Sequence, residues 1–329
     1  MTLGYLPDRL TMNTMEVGTD GSQTPLKGDG SHWRPCQNAA DIGCNWLVPA
    51  ESDEAFCDAC RLNETIPDLT LPGNLEHWNA IETAKRRVVY ALMRLKLPFE
   101  SPGASHSKLR FKFLGDVVGD DPVLTGHDEG MIVLNIAEAD SAERERRRTQ
   151  LGEPYRTLLG HFRHEVGHYY WDMLVRDSGR EEESRAVFGD ERKDYGEALQ
   201  EHYDNGAPAD WQMNFVSSYA TMHPWEDFAE TWTHYLHMID TLDTAASFGV
   251  AVNPVVSDAP EVNAEVGFNA YRAADVEQLV AEWVPLTVAL NSLNRSMGQP
   301  DIYPFALSPA VIDKLAFIHK LVQDGPRVA

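Results

Sequence analysis

Residues 158–171 read Leu158-Leu159-Gly160-His161-Phe162-Arg163-His164-Glu165-Val166-Gly167-His168-Tyr169-Tyr170-Trp171, and the choice of fold turns on them. At 100° per residue, His164 and His168 stand one turn apart on one helix face, the spacing at which two imidazoles reach a single metal ion. Glu165 lies beside them, close enough to take a proton from water activated at a metal. Leu159, Phe162, Val166, Tyr169 and Met173 form an apolar stripe on the other side. A run of this type arises by chance in about one chain in a hundred of this length. Here it sits mid-helix beside three aromatic residues, not on a solvent-washed polar face. We expect the helix to open at Pro154 and to run to about Arg176.

A catalytic zinc takes three protein ligands and keeps a fourth position open. A third histidine six residues after His168 is ruled out: that position is Leu174, and Trp171 replaces the glycine of that pattern. A second helix, opened by His223-Pro224 and running to about Leu242, carries Glu226, Glu230 and His234 at successive i, i+4 positions, with His237 three further on. Trp225, Phe228, Trp232, Tyr235 and Ile239 fill its other faces, and carboxylates on so aromatic a helix are costly to bury without partners. Glu226, Glu230, His223 and His234 are therefore the candidates for the third ligand. His161, Asp172 and His237 suit the periphery.

Around these two helices the pattern predicts an α+β class, mainly helical, with a small sheet before the motif helix. Residues 75–97 repeat apolar positions at helical spacing. Leu109–Leu114 alternates and Met131–Ile136 is a short apolar run, both read as strands. The charged stretch 138–150 is a solvated helix or loop. Further helices are expected over Ala274–Leu293 and Pro309–Val322. Residues 1–73, rich in Gly, Pro, Asn and Asp, read as a separate loop-rich module, with residues 74–329 as the catalytic domain.

That module holds all four cysteines, Cys36, Cys44, Cys57 and Cys60. Four thiols are the number a tetrahedral structural zinc needs, and Cys57-x-x-Cys60 has knuckle spacing. Cys36 and Cys44 are too far apart for the usual ribbon. A four-cysteine zinc site is the leading reading over unpaired thiols and disulfides. The 329 residues are 43% hydrophobic, enough for a folded core, and a net charge of -23 argues against a nucleic-acid or anionic-membrane binder. With no secretory segment at the N-terminus and no run approaching about 20 apolar residues, a cytoplasmic protein is expected.

The pair of helices resembles gluzincin-type peptidases, and three further blocks extend the likeness to a bacterial zinc-binding metallopeptidase family: Cys57–Asn63 (CDACRLN), Glu153–Asp172 and His223–His237 (HPWEDFAETWTHYLH), with Asn294–Phe305 alongside. The resemblance implies a zincin-like catalytic domain behind a cysteine-rich segment, with Glu226 as third ligand and Glu230 accepting a hydrogen bond that orients a ligand histidine. It implies Tyr219 as an oxyanion stabiliser, and Met131–Ile136 as the edge strand that pairs with an extended peptide or protein substrate. The family often begins with a ribbon-like cysteine pair upstream of Leu3–Asp8, and this chain starts without it. The expected cofactors are one catalytic zinc and a second, structural one. The expected chemistry is amide hydrolysis by activated water with Glu165 as general base. A zinc-stabilised binding protein and a hydrolase of non-peptide amides are the alternatives; no protein partner is indicated.

Overall fold

In the computed structural model, which describes residues 2–28, 30–100, 108–116, 123–151, 157–257 and 259–326, the N-terminal stretch is a meander. β1 (Thr2–Leu6), β2 (Thr11–Val17), β3 (Gln23–Pro25), β4 (Trp33–Pro35) and β5 (Leu47–Pro49) pair antiparallel in chain order. A bridge from Tyr5 to Trp46 turns the end of the meander back toward its start. The single helical turn α1 (Ala39–Ile42) stops at Gly43, whose φ of 60° suits glycine. Leu6, Met15, Trp33 and Leu47 form a small core. The expectation of a loop-rich stretch is therefore corrected: strands as short as three residues carry too little alternation to register as a period. The core is still small. Four buried side chains contribute about 1.5–3 kcal/mol each, whereas ordering the backbone costs about 1–2 kcal/mol per residue.

β6 (Asn63–Thr65) leads into α2 (Asn74–Arg94), which buries Trp78, Ile81, Ala84, Val88, Ala91 and Leu92, the expected apolar face. β7 (Arg110–Leu114), β8 (Gly126–Asp128) and β9 (Met131–Asn135) complete a four-stranded sheet in the order β6-β7-β9-β8, parallel except for β8. Phe111 faces Ile132 and Phe113 faces Leu134, all four buried. A two-residue turn with φ of 43° at Glu129 and 87° at Gly130 joins β8 to β9, the backbone that tight hairpins favour. This corrects the expected edge strand: Met131–Asn135 is bonded on both sides, and the edges are β6 and β8.

The charged segment is helical, α3 (Ser141–Leu151), and α4 (Leu158–Trp171) is the motif helix. Its expected opening at Pro154 lies outside the described residues. Phe162 sets its ring edge-on to Phe111 at 5.6 Å and to Phe113 at 6.1 Å, which seats the first turn of α4 on the sheet. Met1–Arg94, Ser107–Leu151 and Thr157–Phe162 form one compact unit.

The second unit comprises Leu95–Glu100 and the described residues from Arg163 onward. Past Trp171 the helix continues as a π turn, Asp172–Arg176. There follow α5 (Glu181–Phe188), α6 (Tyr195–Asn205), α7 (Pro224–Phe248), the short pair β10 (Ala251–Val252) and β11 (Ala264–Glu265), α8 (Val276–Ser296) and α9 (Pro309–Asp324). α7 starts where its sequence predicts: His223 Nδ1 accepts the Trp225 N–H as a cap and Pro224 takes the first turn. It ends at Gly249, φ 63°. Among the described residues no helix is long and apolar enough to cross a membrane. The mixture of helix and sheet agrees with the α+β class.

Candidate functional site

α4 and α7 bring His164, His168 and Glu226 together, with one ligand atom from each lying within 4.8 Å of the others. His168 Nε2 is 3.2 Å from His164 Nε2, and Glu226 lies 2.9 Å from His164 Nε2 through Oε2 and 3.5 Å from His168 Nε2 through Oε1. Nitrogen and oxygen ligands at zinc distance stand about 3.3 Å apart on a tetrahedron, so the donor set fits a zinc ion. Gly167 makes the approach possible. A Cβ there would lie 3.0 Å from Ala229 Cα, 3.2 Å from Trp232 Cδ1 and 3.3 Å from Ala229 O, tighter than ordinary contact, so the helices could not keep this separation around it without a shift.

The surrounding side chains hold this geometry. His164 Nδ1 is 2.8 Å from Glu230 Oε1, and the Ser217 hydroxyl donates to Glu230 Oε2 at 2.6 Å. The Trp225 ring lies against His168, centroids 3.8 Å apart and planes tilted by 36°. Burial would push His164 toward its neutral form, yet the Glu226 and Glu230 carboxylates on either side hold its pKa well above the usual histidine value. Burial would likewise raise Glu226, but His168 and His164 hold it well below the carboxylate range. The middle of the centre favours positive charge. Glu165 is buried on α4. Tyr219 stands at the wall, its ring 5.9 Å from that of His164, and burial pushes its hydroxyl well above its ordinary pKa.

The other candidates lie elsewhere. His223 caps α7, its Nε2 3.1 Å from Lys193 O. His234 Nδ1 is 2.7 Å from the Tyr303 hydroxyl. His237 and Asp240 meet the buried guanidinium of Arg163, and Asp240 also accepts from the Tyr271 hydroxyl. In the first unit His161 Nδ1 is 3.3 Å from Glu138 Oε2. Asp172 pairs with Arg176 at 2.8 Å, and burial raises its pKa to about 6. Two residues at the centre escaped the sequence reading, Ser217 and Tyr195, whose hydroxyl donates to Glu226 Oε1 at 2.9 Å. Neither belongs to a spacing pattern that would have found it.

The four cysteines also converge, buried and without a disulfide. Cys44 Sγ is 3.7 Å from Cys57 Sγ and 3.8 Å from Cys60 Sγ, and tetrahedral zinc-thiolate ligands stand about 3.8 Å apart. The Cys57 N–H donates to Cys36 Sγ at 3.4 Å. Hydrogen bonds from Cys44, Cys57 and Cys60 hold the Cys36 pKa low, and the same cluster, Cys36 first, pushes Cys57 and Cys60 up. Four thiols this close can all ionise only around a cation. Beside the cluster Glu82 and Lys85 form a fully buried pair at 2.7 Å. Glu82 Oε2 is 3.8 Å from Cys60 Sγ, and Lys85 lies over Phe111 and Phe113. The sheet buries this i, i+3 pair.

Comparison with known proteins agrees with both clusters. Residues 1–71 match a family described as a zinc-ribbon domain, although Cys36 and Cys44 are further apart than in the usual ribbon. The turn α1 and Gly43 fold back the wide interval between Cys36 and Cys44. One protein of Mycobacterium bovis and two of Mycobacterium tuberculosis strains, each called an uncharacterized protein, are 43% identical to this chain over 292 residues. The match covers 88% of this chain and 82% of each relative. No solved structure matches it. Residues 74–321, which carry α4, α7 and the His-Glu centre they form, match the family described as "Putative zinc-binding metallo-peptidase", and the chain belongs to that family.

Proposed function

We propose that the chain is a zinc-dependent peptidase that hydrolyses amide bonds in a peptide or protein substrate, with His164, His168 and Glu226 as the metal ligands. The observation that carries this reading is the convergence of those three donors beside the buried Glu165. A zinc ion held there supplies a Lewis acid that polarises the scissile carbonyl and acidifies water. Glu165 accepts the proton of the attacking water as its oxygen bonds to the carbonyl carbon, and returns it to the departing amine as the C–N bond breaks. Tyr219 donates to the carbonyl oxygen as that atom gains charge. Glu230, itself held by Ser217, accepts from His164 Nδ1 and so keeps Nε2 turned to the metal.

A zincin-like catalytic domain is supported by the chain order of sheet, motif helix and second ligand-bearing helix. A division near residue 73 is supported by the interval between the two family matches. We assign the cysteine cluster a second, structural zinc, and a cytoplasmic setting suits four reduced thiols. The test is Glu165→Gln assayed on a peptide library with metal counting. The variant should keep its zinc and lose about 10²–10⁴-fold in cleavage rate. A zinc-loaded variant that cleaves like wild type refutes the assignment.

A further inference from the structure

α6 has no buried residue, and its Asp194 cap accepts the Glu197 N–H. Tyr195, the first residue of this surface helix, is 39% exposed, yet its hydroxyl reaches Oε1 of Glu226, a residue only 2% exposed. Its ring is seated against His223 at 5.4 Å and Trp225 at 6.2 Å. Seven residues on, on the same face, His202 sets its ring edge-on to Tyr219 at 6.1 Å. The helix thus meets the wall of the centre at two points.

The two oxygens of Glu226 are not equivalent. Oε2 is 2.9 Å from His164 Nε2, while Oε1 is taken by the Tyr195 hydroxyl at 2.9 Å and stands 3.5 Å from His168 Nε2. A carboxylate with one oxygen so held has lost its freedom to rotate about the terminal bond. We propose that Tyr195 is a positioning residue of the metal centre: its hydroxyl holds Oε1 of Glu226 and so fixes the carboxylate with Oε2 toward His164, and ties the order of α6 to occupancy of the centre. This rests on the reading of His164, His168 and Glu226 as a zinc site.

The test uses the full chain and Tyr195→Phe, which keeps the ring against His223 and Trp225 and removes only the hydroxyl. Zinc affinity of the His-Glu centre is measured by chelator competition, and amide exchange over residues 195–205 is followed with and without zinc. The variant should bind zinc at that centre about 10–100-fold more weakly and keep the zinc of the cysteine cluster. Its α6 exchange should no longer respond to zinc. A merely structural tyrosine would change the melting temperature and leave the affinity alone. A dissociation constant within twofold of wild type therefore overturns the proposal, whatever the melting temperature does. His164→Ala separates the two readings: if it binds as much zinc as wild type, the assignment of the site itself fails.

Discussion

His234 sits where a proton is costly. It is 3% exposed, 2.7 Å from the Tyr303 hydroxyl and edge-on to Phe305 at 4.4 Å. Burial lowers its pKa to about 4, against the pull of Glu230 and with the help of Arg163. In the unfolded chain a histidine titrates near 6.5. The folded value is the depressed one, so this residue's contribution to stability is complete above about pH 6.5 and is lost as pH falls from there through about 4. About 2 kcal/mol should be gone by pH 5. Urea unfolding at about pH 7 and about pH 5 should show this drop in wild type, and most of it should vanish in His234→Gln, which keeps a polar group for Tyr303. Equal drops in both proteins would refute the assignment.

The crossing of α4 on α7 is set by one missing methyl group. Within a helix, glycine is worse than alanine by about 0.5–1 kcal/mol, so Gly167→Ala would stabilise α4 if nothing opposed the new atom. The opposing atoms are Ala229 Cα and O, backbone that has no side-chain rotation to escape by, and Cδ1 of the buried Trp232 ring. We expect the sign to reverse: a loss of about 1–3 kcal/mol in urea unfolding, with weaker zinc binding as the His164/His168 pair parts from Glu226. A stabilised variant with unchanged zinc affinity would show that the close approach is not needed. The same helix is tied to α9 through Asp227 and Lys314, 2.7 Å apart and both buried. Burial raises Asp227 to about 7 even with Lys314 beside it, so this neighbour of Glu226 depends on its partner to stay ionised.

Each compact unit contains one cluster of side chains that could hold a metal ion, cysteines in the first and the His-Glu set in the second. In the N-terminal sheet the four-residue core is small beside the about 10–16 kcal/mol that a structural zinc supplies. Purified protein should carry two zinc ions per chain. Cys60→Ser should reduce the count to one and open residues 1–73 to limited proteolysis. Two zincs in the variant, or an unchanged cleavage pattern, would contradict a structural role for the cluster.

The motif helix, the capped start of α7, the β7 and β9 strands and the identity of His164, His168, Glu226 and the four cysteines were legible in the sequence. Glu226 is singled out by the family resemblance and the cysteines by their number; the rest is written in neighbours three or four residues apart, in alternation along one strand, or in a local cap, and such spacings act before the chain has folded. The interior place of Met131–Asn135, the short-stranded N-terminal meander and the roles of Tyr195, Ser217, Gly167 and the Glu82–Lys85 pair were not. These depend on contacts between residues far apart in the chain. Tyr195 reaches Glu226 across 31 positions and Ser217 reaches Glu230 across 13. A hydroxyl or a glycine has the same local preferences wherever it stands, so its role is set by what the fold packs against it.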